Sequence, residues 1–365
     1  MEHSDQLYQI AFSQLYGIGP IRARRILKLL KHPRDFFELN YSALQQLTSI
    51  PIAQLEKTDR TNALWRAQGQ LPYLTNENLS YHFITDPSYP ERLRHCSDAP
   101  LGLFYRGSAP SWHQPRCIAV VGTRQQTAYG QKLVEELLAG LPKDIVVISG
   151  LALGVDANVH HQCLQQQLQT IGVLGHGIDR IYPASNRKLA LQMLEQGGLM
   201  SEFLIGTKPD RMHFPMRNRI IAGLADAVVV IESNKNGGSL ITAELGNDYN
   251  REVFAFPGPI HQAQSEGCHA LIKNQQAHLL TSAQDLLQTM NWTDAQQETT
   301  LRQQPAYSGL QKEILDHFKN KNNWSIDELA LKTQQAVSHI SSTLFELELN
   351  GSLQNIGANR YRLPL

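Results

Sequence analysis

The chain has 365 residues, of which 42% are hydrophobic and 18% are charged. This is the composition of a globular protein, and the length allows two or three domains. Lysine plus arginine and aspartate plus glutamate each number 33, so the net charge is zero. This excludes a strongly basic protein, and any site for DNA or another anion must be a local patch.

Cysteine usage and hydropathy indicate the compartment. The four cysteines form no C-x-x-C pair, which is typical of reduced, buried thiols in a cytosolic protein. The first five residues are polar and show no signal-peptide pattern. The longest apolar runs, residues 145–155 and 220–231, fall short of the roughly 20 residues that a bilayer span needs. We therefore expect a soluble, cytoplasmic protein with no membrane partner.

Residues 1–75 are predicted to form a helical domain of the SAM or helix-hairpin-helix type. A Gly17-Ile-Gly19 turn leads into a helix with Pro20 at a favoured first-turn position. Its cations are Arg22, Arg24, Arg25 and Lys28. Exposed glycine N–H groups beside these cations would suit a DNA phosphate. A tight interhelical turn followed by a solvated basic helix is the alternative, and both interpretations stay open.

Residues 80–290 show the pattern of a large α/β domain. Two strands are predicted at 80–84 and 101–106. Further strands are predicted at 117–122, 145–150, 170–175, 199–202, 227–233, 252–257 and 278–281. Most are apolar runs without alternation, as in strands buried on both faces of a parallel sheet. Helical segments separate them, so we predict a Rossmann-like, doubly wound, mostly parallel sheet.

The last part of the chain is predicted to be a flexible linker, residues 291–304, and a winged helix, residues 305–365. Helices are expected at 310–318, after a capping box formed by Ser325 and Glu328, and at 335–349. A hairpin is expected at 351–363. This segment has six basic and six acidic residues. Because phosphate contacts dominate DNA affinity, this balance favours a protein contact over DNA binding, although both stay open.

The carboxyl ends of the strands are the expected binding site, since ligands of open α/β sheets bind there. Three segments at or near these ends combine glycine, hydroxyl or cationic residues. They are Gly122-Thr123-Arg124, Arg217-Asn218-Arg219 and Gly238-Ser239 with Thr242. Backbone N–H groups at helix starts and guanidinium groups both bind anions. No obvious nucleophile or base accompanies them, which favours binding over cleavage of a phosphorylated ligand.

Cofactors and metals are not expected. The glycine turn at Gly238 lacks the lysine of a Walker A loop, and Gly122 does not open a Gly-x-Gly-x-x-Gly fingerprint. Two groups of histidine and cysteine lack the paired spacing of zinc sites: His160, His161 and Cys163, and His261, Cys268 and His269. Asp156 and Asp179 are interpreted as turn or helix-start residues and not as catalytic carboxylates.

Read in order, these motifs resemble the DNA-processing protein A (DprA, also called Smf) family. The strongest matches are Val120-Val-Gly-Thr-Arg124, Ser149-Gly-Leu-Ala152, Arg217-Asn-Arg-Ile-Ile-Ala-Gly-Leu224 and Gly238-Ser-Leu-Ile-Thr-Ala243. Shorter matches continue to residue 272, and the order of the terminal domains also suits the family. So many ordered matches are a specific signal.

The resemblance implies a non-catalytic protein that binds single-stranded DNA. It implies that the protein shields incoming DNA and loads the RecA recombinase during natural transformation, and that it forms a homodimer through the Rossmann-like domain. By matching position, Thr123 and Arg124 would hold a backbone phosphate. Arg217, Asn218 and Arg219 would form a positive pocket bordered by Ser239 and Thr242. Gly122 and Gly238 are assigned to the same DNA-binding site.

Several positions depart from the family pattern. Leu153 stands where a basic residue is common, His269 where asparagine is usual, and Gln276 where glycine is usual. An enzyme remains the alternative function, because phosphoribohydrolases that cleave nucleotides share a Rossmann-like sheet with a glycine-rich turn and a nearby glutamate. Gly237-Gly238-Ser239 and Glu244 loosely match that pattern.

Overall fold

The computed structural model describes residues 2–76, 79–108, 112–292, 307, 309–318, 321, 323–349, 352–357 and 359–363. These residues belong to two compact units, Met1–Met290 and Asn291–Leu365. The expected boundary near residue 290 coincides with the division between the units. From residue 293 onward, the linker predicted at 291–304 lies outside the described residues.

Within residues 2–76, the structure has seven helices before the first strand. They are α1 (Glu2–Ser13), α2 (Pro20–Leu29), α3 (Asp35–Glu38), α4 (Tyr41–Thr48), α5 (Ile52–Glu56), α6 (Arg60–Gln68) and α7 (Leu71–Asn76). As predicted, Pro20 is the first residue of α2. Ile10 and Phe12 of α1 are fully or almost fully buried in the same hydrophobic core as Leu103 and Phe104 of the sheet. The boundary expected at 75–80 therefore does not separate two cores, and the four-part domain division stays a prediction.

The sheet of the first unit has nine strands in the order β1-β2-β6-β5-β4-β3-β7-β8-β9. The strands are β1 (Leu79–Phe83), β2 (Gly102–Gly107), β3 (Arg116–Val121), β4 (Ile145–Ser149), β5 (Thr170–Leu174), β6 (Gly197–Ser201), β7 (Ala227–Val230), β8 (Glu252–Ala255) and β9 (His278–Leu279). Strand β2 pairs antiparallel with β1 and β6. The seven strands β6-β5-β4-β3-β7-β8-β9 run parallel to one another. The predicted α/β fold with a mostly parallel sheet is confirmed.

Eight further α-helices are described in the segments that connect these strands or follow the last one. They are α8 (Glu91–Arg94), α9 (Ala128–Ala139), α10 (Val155–Gln165), α11 (Arg187–Gln196), α12 (His213–Leu224), α13 (Gly238–Asp248), α14 (Glu266–Lys273) and α15 (Ala283–Thr289). Strand β3 lies between β4 and β7, so the chain leaves β3 toward one edge and later returns to its other side. In open α/β sheets a ligand crevice forms where the strand order reverses in this way.

The described residues of the second unit form three helices and a small antiparallel sheet. Its elements are β10 (Asn323–Ser325), β11 (Gln354–Asn355), β12 (Arg360–Arg362), α16 (Gly309–Phe318), α17 (Ile326–Thr333) and α18 (Val337–Leu349). The capping box of Ser325 and Glu328 opens α17 as predicted. Strand β10, which pairs with β12, was not predicted, because three residues are too few to show an alternating pattern. Assignment of this unit to the winged-helix class stays a prediction.

The cysteine side chains follow the sequence-based expectation. All four cysteines are buried and free, and burial raises the pKa of Cys117, Cys163 and Cys268 to about 12. At neutral pH these thiols are therefore protonated and packed as small apolar groups. Among the described residues, the helices are all too short or too polar to span a bilayer.

Candidate anion-binding site

A cavity of about 950 Å³ lies beyond the carboxyl ends of β3 and β7. This is the place where the strand order reverses, as the fold class predicts. The cavity brings together eight of the nine residues selected from the sequence: Gly122, Thr123, Arg124, Arg217, Asn218, Gly238, Ser239 and Thr242. The ninth, Arg219, does not line it.

The loop after β3 is held by a buried glutamate. The Glu232 carboxylate accepts hydrogen bonds from the Thr127 backbone N–H at 3.0 Å and the Thr127 hydroxyl at 2.5 Å. The Thr123 N–H donates to the Glu232 carbonyl oxygen at 2.8 Å. Arg124, between these anchors, is exposed, and its guanidinium carbon lies 5.5 Å from the centre of the Phe214 ring. The described residues show no ion pair of Arg124, so its charge faces the cavity unneutralised.

Arg217 forms part of the cavity floor. Only 5% of the residue is exposed, and its Nη1 donates to the carbonyl oxygens of Gly150, at 2.5 Å, and Val173. Burial lowers the pKa of Arg217 to about 10, while the nearby carboxylate of Asp156 acts in the opposite direction. The guanidinium is therefore still charged at neutral pH and is fixed in orientation.

Asn218 connects Arg217 to the start of α13. Its Oδ1 accepts from Arg217 Nε at 3.2 Å, and its Nδ2 donates to the Gly238 carbonyl oxygen at 3.3 Å. Helix α13 begins at Gly238 without a side-chain cap, so its first N–H groups have no capping acceptor. A Cβ placed on Gly238 would meet no atom within 4 Å, so this helix start opens into the cavity. Such a helix start beside a guanidinium is an anion site.

The loop after β4 positions the Gly150 carbonyl oxygen, which accepts a hydrogen bond from Arg217. Leu151 is fully buried with a φ of 55°, a left-handed conformation that costs a leucine free energy. Buried Asn186 holds this turn, because its Nδ2 donates to the Leu151 carbonyl oxygen at 2.9 Å and to that of Ala152 at 3.4 Å. Sequence reasoning missed both roles, since neither follows from residue type or spacing.

Two exposed cations of the cavity were also missed from the sequence. Arg211 and Lys235 line it, together with Arg124 and Arg217. Carboxylates at the cavity are fewer: buried Asp156 and exposed Glu266. A signal was available for Lys235, which lies two residues before the glycine turn. Four cations against two carboxylates give the cavity the local positive charge that the neutral chain requires for binding an anion.

The position of Arg219 differs from the sequence-based expectation, because Arg219 does not line the cavity. Its guanidinium forms an ion pair with Glu202 and donates to the Asp98 carbonyl oxygen, with the Arg219 side chain 12% exposed. Residues two apart on an α-helix point about 200° apart, so Arg217 and Arg219 cannot both face the cavity. Burial raises the pKa of Glu202, and the cation of Arg219 opposes that rise. Arg219 therefore stabilises the fold and does not form the positive pocket.

The N-terminal basic helix is also partly committed to structure. Arg24 donates to the carbonyl oxygens of Cys96 at 2.5 Å and Arg94 at 2.9 Å, so part of its hydrogen-bonding capacity is used within the fold. Arg22, Arg25 and Lys28 are exposed. Both interpretations of this helix, a DNA phosphate site and a solvated basic helix, therefore rest mainly on the three exposed cations.

The remaining candidates lie outside the cavity or hold no metal arrangement. The described residues contain no group of three or more histidine, cysteine, aspartate or glutamate residues that could hold a metal ion. Asp179 pairs with Arg180 at 2.8 Å and does not line the cavity. Glu244 is exposed and does not line it either. Of the departures from the family pattern, Leu153 is 48% exposed, and His269 Nε2 lies 2.9 Å from the Gly258 carbonyl oxygen.

Comparison with known proteins decides the family. The model of the DNA recombination-mediator protein A family matches residues 80–291. The chain belongs to this family. It is 34% identical over 294 residues to Protein Smf of Synechocystis, covering 80% of this chain and 74% of that protein. It is 43% identical over 204 residues to DNA processing protein DprA of Streptococcus pneumoniae, covering 56% and 72%.

Solved structures of the family agree. The X-ray structure of Streptococcus pneumoniae DprA superposes with a TM-score of 0.65 at 34% identity, over 77% of this chain and 96% of that one. A structure of Helicobacter pylori DprA, described for its single-stranded DNA binding mode, gives 0.54 at 27% identity, over 59% and 97%. The resemblance seen in the motifs is confirmed, and the chain is a DNA-processing protein of the recombination-mediator family.

Proposed function

We propose that this protein binds single-stranded DNA without cleaving it, shields incoming DNA and loads the RecA recombinase during natural transformation. The observation that carries the proposal is the cavity, where exposed Arg124, Arg211 and Lys235 and buried Arg217 surround the open start of α13. Guanidinium, ammonium and helix N–H groups all bind phosphate oxygens. A DNA backbone supplies such oxygens at every nucleotide.

A single strand suits this cavity better than a duplex. The site is concave, and the backbone of a single strand bends into such a space, whereas a duplex is stiff over about 150 base pairs. Aromatic rings at the cavity offer stacking partners for bases: Tyr182 is 49% exposed, and its ring centre lies 6.0 Å from that of Phe214. Stacking and phosphate contacts together bind single strands with little sequence preference.

The phosphoribohydrolase alternative finds less support. It needs a carboxylate beside the glycine turn, but Glu244 is exposed and does not line the cavity. Incubation with nucleoside monophosphates provides the test, since released free base would establish the enzyme. We expect none.

The proposed function includes three further points: a homodimer, a contact with RecA and a cytoplasmic location. Sedimentation tests the homodimer, and RecA filament assembly assays test the contact with RecA.

A mobility-shift comparison of single- and double-stranded oligonucleotides of one length tests the proposed function. We expect the single strand to shift at a lower protein concentration, with little dependence on its sequence, because backbone contacts carry little base information. The affinity should fall steeply with salt, since phosphate binding releases counterions. Equal binding of the duplex, or a flat salt dependence, would contradict the proposal.

A further inference from the structure

A second cavity lies where the N-terminal helices meet the loop after β6. Its volume is about 610 Å³, and its lining includes Trp65, Arg66 and Gln70 from the helices and residues 204–207 from the loop. Trp65 is 73% exposed, and Arg66 is exposed as well. The lining contains no carboxylate. A large exposed indole beside a guanidinium is not explained by core packing.

The cavity is preformed. The Gln70 Oε1 accepts from the Ile205 N–H at 2.8 Å, which fixes the loop to the N-terminal helices. The Gly206 N–H donates to Asp179 Oδ1 at 2.9 Å, and the Gly177 N–H donates to the Thr207 carbonyl oxygen at 3.0 Å. A Cβ on Gly206, whose φ is 92°, would meet no atom within 4 Å. The loop is therefore held from both sides while its surface stays open.

The same loop leads directly into the anion-binding cavity. Thr207 lines the second cavity, and Arg211 lines the first. They are four positions apart in the sequence, so their Cα atoms are at most about 14 Å apart. Between them lies exposed Lys208, while the carboxylate of Asp210 accepts from the Met212 N–H at 2.8 Å. Cations thus lie along the path that joins the two cavities.

We infer that single-stranded DNA continues from the anion-binding cavity along residues 207–211 and stacks a base on Trp65 beside Arg66. This inference rests on the proposed function, because it extends the same strand. Aromatic side chains can stack on any base, and cations along a groove contact the phosphates of the backbone. A planar guanidinium also binds phosphate or lies over a ring face. The N-terminal module thereby becomes part of the DNA site.

Oligonucleotide length separates the two cavities. A dithymidylate is compared with an oligothymidylate of about 16 nucleotides, the upper end of single-strand site sizes. The dinucleotide has one internucleotide phosphate and occupies one cavity at a time, whereas the longer ligand occupies both. We expect Trp65→Ala to weaken the longer oligonucleotide by at least about fivefold, the value of one stacked base, and to leave the shorter one unchanged. Trp65→Phe should retain most of the affinity, and Arg66→Ala should also weaken only the longer ligand.

Matched controls lie on the same module outside both cavities. Tyr16, 76% exposed, controls for removal of an aromatic ring, and exposed Lys57 for removal of a charge. Tyr16→Ala and Lys57→Ala should bind both oligonucleotides as the original protein does. The inference is overturned if Trp65→Ala binds the longer oligonucleotide normally, which would leave the indole to a protein contact, or if it loses both lengths equally.

Failure of the proposed function gives a different result. Arg124→Ala should weaken both lengths, because Arg124 belongs to the first cavity. If Arg124→Ala weakens both and Trp65→Ala weakens neither, the extension alone is wrong. If the unaltered protein binds neither oligonucleotide at low salt, both proposals are wrong.

Discussion

The guanidinium group of Arg217 occupies the space that a side chain on Gly150 would need. An ideal Cβ on Gly150 would lie 2.4 Å from Nη1 and 2.5 Å from Nη2 of Arg217. The same Nη1 donates to the Gly150 carbonyl oxygen at 2.5 Å. The absence of a side chain at position 150 is therefore a condition for the buried cation of the cavity floor.

We predict that Gly150→Ala displaces Arg217. Overpacking of a buried site costs about 1–3 kcal/mol in the free energy of unfolding. Loss of a charge-assisted phosphate contact, worth about 1.5–3 kcal/mol, would also weaken single-stranded DNA binding about tenfold or more. Chemical denaturation and a DNA titration measure the two effects.

The matched control is Gly238→Ala, where the added methyl group meets no atom within 4 Å. This variant should unfold like the original protein, since no side chain has to move. It should still bind DNA less tightly, because the methyl group projects from the helix start that receives the phosphate. If Gly150→Ala is destabilised but binds DNA normally, Arg217 does not hold the strand. If Gly150→Ala is as stable as Gly238→Ala, the predicted displacement of Arg217 is wrong.

The Arg219–Glu202 pair should contribute to stability and not directly to DNA binding. Arg219→Ala leaves the Glu202 carboxylate, whose side chain is 13% exposed, without its cation. Removing one partner of a buried pair costs about 3–5 kcal/mol of unfolding free energy. The double variant Arg219→Met with Glu202→Gln should recover most of that stability and bind DNA normally. A stable double variant that has lost DNA binding would return Arg219 to the site.

Acidification should destabilise the protein through buried histidines. His160 is fully buried, and burial, with a smaller effect of Arg217, lowers its pKa from 6.5 to about 3. Burial likewise lowers the pKa of His82 to about 4. The unfolded chain then binds more protons than the folded chain between pH 6.5 and 3, so stability is present above pH 6.5 and falls as the pH drops.

His160 alone should account for about 2 kcal/mol of this loss at pH 5, because each unit of pKa shift corresponds to about 1.4 kcal/mol. Thr170 donates its hydroxyl proton to the Val147 carbonyl oxygen, so His160 Nδ1 carries the proton in the 2.7 Å contact with Thr170 Oγ1. His160→Asn can preserve that donor without titrating. Denaturation midpoints from pH 7 to pH 5 should fall less steeply in this variant, and an identical slope would contradict the assignment.

A chain that ends at Met290 should fold and bind single-stranded DNA. Residues up to Met290 form one compact unit that contains the whole cavity. Residues 305–365 include six basic and six acidic residues and so add little phosphate affinity. Replacing Arg22, Arg25 and Lys28 by alanine should weaken binding more than this truncation does. Loss of binding on truncation, with normal binding by the triple variant, would reverse this ranking of the two ends.

The sequence predicted the sheet well because most of its strands are apolar runs of four to six residues, such as Ile145–Ser149, which is bounded by a polar residue and a glycine. It also selected Arg217 and Asn218, since two arginines around an asparagine are unusual beside a buried strand. It did not separate Arg217 from Arg219, because the face of α12 that meets the cavity depends on how the helix packs. Arg211 and Lys235 lie in loops, where no periodicity shows which way a side chain faces.

The most direct test of the account measures how much the exposed cations of the cavity contribute to the protein's affinity for single-stranded DNA. A labelled oligothymidylate is titrated with the original protein and with Arg124→Ala, Lys235→Ala and the control Lys188→Ala, an exposed cation outside the cavities described above. We predict a loss of about tenfold for each cavity variant, together with a salt slope smaller by about one per lost phosphate contact. The control should show neither change. Unaltered affinity and salt slope in both cavity variants would contradict the account.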